Sequence, residues 1–163
     1  MRVLGLDPGL TCAGYGLVER TDLSITAVCF GAIRTPRGPV PARLRAFHDE
    51  LEAILELHRP DAVAVERVLF NANTRTAMSV GQAAGVALLL AEQAGCEIAE
   101  YTPNEVKLSV TGYGKADKGQ VQMMIAKLLH LDAPPTPTDA ADALGLALTH
   151  LAGHRLKKAI ARA

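Results

Sequence analysis

Apolar residues recur along this chain in two rhythms, short continuous or alternating runs and longer stretches with helical spacing. Residues 2–6 form a short apolar run that Asp7-Pro8-Gly9 ends, since proline fixes φ and glycine accepts the turn. Residues 14–19 and 24–34 read as two further strands, and the polar Arg20-Thr21-Asp22 between them predicts a hairpin. A glycine- and proline-rich loop spans 35–41. Over 42–57 the residues Leu44, Phe47, Leu51, Ile54 and Leu55 fall on one side of a helix, which His58-Arg59-Pro60 stops. Residues 61–66 predict a fourth strand, 74–94 a long helix and 97–101 a fifth strand. Pro103 opens a short helix, 118–131 has helical spacing, and Thr138 caps a last helix that runs to about residue 151. Three antiparallel strands followed by two reached through helical crossovers make an α/β protein, a mixed five-stranded sheet flanked by helices.

The strand alternation has a consequence for charge. Val3, Gly5 and Asp7 share one face of the first strand, and Ala62, Ala64 and Glu66 share one face of the fourth. If the two strands are parallel neighbours, Asp7 and Glu66 emerge together at the carboxyl edge, above a floor of small residues that lets a helix come close. The final helix carries Asp139 and Asp142, three apart and so about 60° from one another around the axis. Around them stand Ala140, Ala141, Ala143, Leu144, Leu146, Ala147 and Leu148. A helix apolar on all sides is buried, and no Lys or Arg lies one turn from Asp142 to pair with it.

Taken singly, these acids have ordinary readings. Asp7 suits a turn, Glu66 a strand end, and Asp139 the positive end of the helix dipole. Together they would repel one another and lose hydration, which requires a compensating cation. Mg²⁺ takes oxygen ligands and keeps several waters, so two ions need only a few carboxylates and leave room for a substrate phosphate. Paired ions about 4 Å apart suit in-line hydrolysis of a phosphodiester. No histidine or cysteine cluster with zinc spacing accompanies the acids. His150, eight positions beyond Asp142, reads as a structural helix-end residue.

Composition narrows the setting. With 163 residues, 49% of them hydrophobic, the chain buries a core without disulfides. Its three cysteines, Cys12, Cys29 and Cys96, share no C-x-x-C spacing, which fits a reducing cytoplasm, with Cys12 read as a half-buried filler. No export signal is expected. The most apolar stretch, 80–94, is broken by Gln82, Gly85, Glu92 and Gln93 and does not predict a membrane span. Seventeen basic residues balance 17 acidic ones, a poor sign for nucleic-acid binding until metal cancels the four clustered acids. Arg155, Lys157, Lys158 and Arg162 then mark residues 153–163 as a basic C-terminal tail after a domain over 1–152.

Gly5-Leu6-Asp7-Pro8-Gly9, Val65-Glu66-Arg67, Gly81-Gln82-Ala83-Ala84-Gly85 and Asp139-Ala140-Ala141-Asp142-Ala143-Leu144 together resemble the RuvC family of Holliday junction resolvases, in order from Arg2 to His150. The resemblance implies an RNase H-like fold and a homodimer that nicks four-way DNA junctions symmetrically with Mg²⁺, Mn²⁺ being able to substitute. It places Asp7, Glu66, Asp139 and Asp142 on the family's catalytic, metal-binding carboxylates. It also implies a role in recombination and repair alongside the RuvA–RuvB branch-migration complex.

After Glu66 the family carries an aromatic that stacks on junction bases. Here the run is Val68-Leu69-Phe70, so Leu69 and Phe70 both stand as apolar wedges or as core residues. Lys107 and Lys118 match basic positions suited to phosphate. The small residues Ala77, Gly81, Ala84 and Gly85 allow either helix-on-sheet packing or a twofold contact, and the resemblance favours the latter. An RNase H-like nuclease acting on RNA or RNA–DNA hybrid would use the same acids and is the alternative. A sugar-kinase or actin-like ATPase also opens on Asp-x-Gly, but this chain is too short for two ATP-clamping lobes.

Overall fold

The computed structural model describes residues 1–22, 24–68 and 74–160, the side chains of 74–76 and 155–160 excepted. The strands are β1 (Arg2–Asp7), β2 (Cys12–Arg20), β3 (Ile25–Arg34), β4 (Ala62–Glu66) and β5 (Glu97–Tyr101). The helices are α1 (Val40–His58), α2 (Thr74–Gln93), α3 (Pro103–Thr111), α4 (Lys118–Leu128) and α5 (Thr138–Ile160). In the sheet the order is β3-β2-β1-β4-β5. β1 pairs antiparallel with β2 and β2 with β3, while β4 runs parallel to both β1 and β5. The expected mixed sheet is therefore present, and the parallel pairing of β1 with β4 puts their carboxyl ends side by side.

The two sheet faces bury different partners. Val3, Val18, Ala62 and Ala64 pack against Leu144 and Ala147 of α5 and, beyond them, Val106, Val110, Val121 and Ile125 of α3 and α4. Leu4, Leu6, Leu17, Val63 and Val65 pack against Phe47, Leu51 and Leu55 of α1 and Ala83, Ala87 and Ala91 of α2. This is the face assignment that the period-two alternation predicts. Helix α5 lies between the sheet and α3–α4, which explains why it is apolar all round. Gly145 turns toward that outer layer, where a Cβ would stand 3.0 Å from Val106 Cγ1 and 3.3 Å from Ile125 Cδ1.

On its sheet side α5 rests on glycines. A Cβ on Gly5 would overlap the Ala143 carbonyl, and one on Gly14 would overlap the backbone of Asp139. One on Gly16 would come within 2.7 Å of Leu144 Cγ. Gly5 pairs with Gly16 and Asp7 with Gly14 across β1 and β2, so the floor is a single contiguous patch. Helix α5 also runs on to Ile160, past the expected end near residue 151. One interior glycine, Gly153, costs about 1 kcal/mol, which the surrounding Ala, Leu, Lys and Arg residues offset.

The glycine floor yields a test by chemical denaturation. Gly5→Ala must displace backbone and is expected to destabilise the protein by about 3 kcal/mol or more. Gly153→Ala meets nothing within 4 Å and is expected to leave stability unchanged or raise it by up to about 1 kcal/mol. Equal effects of the two substitutions would contradict this account of α5.

Candidate active site

Asp7 ends β1 and Glu66 ends β4, and the parallel register that pairs Leu6 with Val65 brings the two side by side one step further on. Thr138 and Asp139 begin α5, so Asp139 enters from above on the first turn and Asp142 on the second. Oxygens of Asp7, Asp139 and Asp142 lie within 4.8 Å of one another. Glu66 stands outside this tight trio but within electrostatic reach of it. All four side chains are half-buried.

The proximity shows in proton affinity. Burial, followed by the charges of Glu66, Asp142 and Asp139, pushes Asp7 from an ordinary 3.8 up to about 7, with Lys118 opposing. Glu66 is also raised, by burial and then by Asp142, again with Lys118 opposing. Lys118 itself is held above its usual range, first by its hydrogen bond to Asp142. Its Nζ donates to Asp142 Oδ2 at 2.9 Å from the first turn of α4. The cation missing from α5 is thus supplied by a different helix, 24 residues earlier in the chain.

Cys12 is more than the filler expected of it. Its Sγ lies 3.3 Å from Asp139 Oδ2, and burial, then that hydrogen bond, hold the thiol above its ordinary value. The signal available in sequence was positional, because Cys12 lies on the strand that carries Gly14 and Gly16. Lys107 on α3 is half-buried, and none of the ion pairs among the described residues includes it. His150 turns to β5, its Nδ1 3.1 Å from the Tyr101 hydroxyl, and serves packing as expected. Leu69 and Phe70 lie outside the described residues.

An all-oxygen carboxylate set whose central member resists ionisation fits a hard divalent cation such as Mg²⁺. A mixed sheet of this topology, with acids at adjacent strand ends and on the covering helix, defines an RNase H-like, metal-dependent nuclease. The chain belongs to the family of the crossover junction endodeoxyribonuclease RuvC, whose model matches residues 3–150. It is 48% identical over 151 residues to the crossover junction endodeoxyribonuclease RuvC of Brevibacillus brevis, covering 92% of this chain and 91% of that one. The structure of Thermus thermophilus RuvC in complex with Holliday junction substrate superposes with a TM-score of 0.90 at 36% identity, covering 96% of both chains. The yeast mitochondrial Holliday junction resolvase shares the fold, with a TM-score of 0.69 at 14% identity over 96% of this chain and 81% of that one.

Without metal, the Asp7 shift ties stability to pH. A carboxyl with a higher pKa folded than unfolded keeps its proton better in the folded state. Metal-free stability should therefore be greatest in acid, fall as pH rises from about 4 toward 7, and then level off. Asp7→Asn is expected to remove this slope and raise stability at pH 8 by on the order of 1–3 kcal/mol, with little effect at pH 4. Saturating Mg²⁺ should flatten the wild-type slope as well. Melting curves in EDTA and in Mg²⁺ across that range check both, and a wild-type slope of opposite sign would refute the assignment.

Proposed function

We propose that this endodeoxyribonuclease resolves Holliday junctions by symmetric paired nicks in homologous recombination and DNA repair. The observation that carries the reading is the meeting of Asp7, Asp139 and Asp142 at one sheet edge, in a chain that aligns end to end with a junction-bound RuvC. Asp7, Glu66, Asp139 and Asp142 are its catalytic carboxylates. Two Mg²⁺ ions held there, replaceable by Mn²⁺, would supply an activated water and charge neutralisation at the scissile phosphate.

The chain's own residues do the rest. Asp7 is the member that feels all three others, so holding its charge makes the site electrostatically unfavourable until a cation enters. Lys118, at the start of α4, can release Asp142 to the metal and turn to a phosphate oxygen of the cleaved strand. Lys107 and the basic stretch 153–163 beyond the nuclease unit of 1–152 add phosphate contacts. Val68-Leu69-Phe70 follows Glu66 after a single residue, Arg67, which supports Leu69 or Phe70 as the wedge in the opened junction.

A four-way junction presents two equivalent strands, and a twofold dimer presents two equivalent sites. Helix α2 offers the surface. Ala77 and Ala84 face inward and are buried, whereas Gly81 and Gly85 face open space. Met78, Gln82, Gly85 and Leu89 form an exposed stripe at helical spacing, with Met78 67% and Leu89 56% exposed. This arrangement supports a homodimer through α2. Cooperation with the RuvA–RuvB complex rests on family likeness, and a cytoplasmic location on the unpaired spacing of the three cysteines. Among the described residues, no helix is long and apolar enough to cross a membrane.

Cleavage of a labelled synthetic junction tests the reading. Asp7→Asn and Asp142→Asn are each expected to lower the cleavage rate by at least about 10³-fold while junction affinity holds or improves, since less negative charge faces the phosphates. Parallel loss of binding would point to misfolding, and faster cutting of an RNA–DNA hybrid than of the junction would shift the reading to the alternative nuclease. Gly85→Arg is expected to yield monomers by sedimentation and to uncouple the paired nicks. A stable dimer in that variant would exclude α2 as the interface.

A further inference from the structure

The two aspartates of α5 receive different donors. Asp142 Oδ2 accepts from a full cation, Lys118 Nζ at 2.9 Å, whereas Asp139 Oδ2 accepts from a neutral thiol, Cys12 Sγ at 3.3 Å. Cys12 is the first residue of β2, paired across to Arg34 of β3 and followed by the buried Ala13. Two positions on, Gly14 lets the backbone of Asp139 settle against the same strand. The strand that seats the start of α5 therefore also fixes the thiol, so donor and acceptor are held by one packing contact.

A carboxylate turns easily about its last torsion, which is broad and roughly twofold. A donor bonded to one of its oxygens holds the Asp139 carboxylate against that rotation. A lysine in place of the thiol would fix the carboxylate plane but set a second positive charge against the incoming cation. A neutral donor fixes it without that repulsion.

We propose that Cys12 is a positioning residue for metal binding: its thiol donates to Asp139 Oδ2 and keeps that carboxylate turned into the gap shared with Asp7 and Asp142. The proposal rests on the reading of the carboxylates as a Mg²⁺ site. It assigns to β2 a part in metal affinity that the four acids alone do not describe.

The test compares wild type with Cys12→Ser, which keeps a donor, and with Cys12→Ala and Cys12→Val, which remove it at two different sizes. Mg²⁺ binding is measured by calorimetry without DNA, junction cleavage is followed against Mg²⁺ concentration, and melting is recorded in EDTA. The alanine and valine variants should bind Mg²⁺ roughly tenfold more weakly, the low end of the range for residues behind a metal ligand. Their cleavage rate should return to within about twofold of wild type at saturating Mg²⁺, as expected when a positioning contact beyond the ligand is lost. The serine variant should match wild type throughout, and melting in EDTA should not track the Mg²⁺ affinities. Serine and alanine variants with equal Mg²⁺ affinity, whether both normal or both weakened, would overturn the assignment. Absence of Mg²⁺ binding by the wild type would remove the metal reading and this assignment together, which distinguishes the two failures.

Discussion

Helix α5 can carry two carboxylates into an apolar interior only because its backbone touches the sheet. Its first turns lie over Gly5, Gly14 and Gly16, where any β-carbon would meet helix backbone or the Leu144 side chain. That contact sets the height at which Asp139 and Asp142 meet Asp7. An interaxial separation widened by even one methyl would move the oxygens apart and admit water between them, weakening the shared field. The glycine patch is thus a constraint on the geometry of the acidic cluster expressed as packing, and the strand pairing that makes it contiguous belongs to the same constraint.

That geometry creates an electrostatic problem, answered in parts. Half-buried acids within 4.8 Å of one another repel, and the protein concedes some of the cost as proton uptake at Asp7. A second part is offset by Lys118, which is anchored at the start of α4 behind a capping box between Asp117 and Gln120. Because Lys118 is exposed, its pair with Asp142 is weakly held. The remaining field is what favours a divalent ion. A site fully neutralised by protein cations would have no use for one.

Much of this was legible in the residues, and the reasons for the gaps are physical. Period-two alternation in β1 and β4 assigned both sheet faces, and the parallel pairing of the two strands, a condition in the sequence reading, puts Asp7 beside Glu66. The all-round apolarity of α5 announced its burial and made its two aspartates conspicuous. Lys118 as partner of Asp142 was not legible, because the contact joins different helices and depends on how α4 packs on α5. Cys12 and the Gly14–Gly16 floor were missed for a related reason: they lie on β2, and their nearness to Asp7 and to the start of α5 becomes visible only once the β1–β2 register is set. On α2, small residues alone could not separate sheet packing from surface. The structure divides them, Ala77 and Ala84 inward and Gly81 and Gly85 outward.

The division of the sheet into two faces also separates the protein's tasks. The face under α5 carries glycines, acids and their donors, and its residues are constrained by atomic overlap. The opposite face, under α1 and α2, is a conventional aliphatic core of Leu4, Leu6, Leu17, Val63 and Val65, which tolerates volume-conserving exchange. Helix α2 sits on that second face and turns its exposed stripe away from the sheet, so the stripe and the acidic cluster lie on opposite sides of it. The two are joined through β4, whose inward residues alternate between faces and whose last residue is Glu66. A shift of α2 against Val63 and Val65 would move the end of β4, and with it the carboxylate that stands just outside the trio.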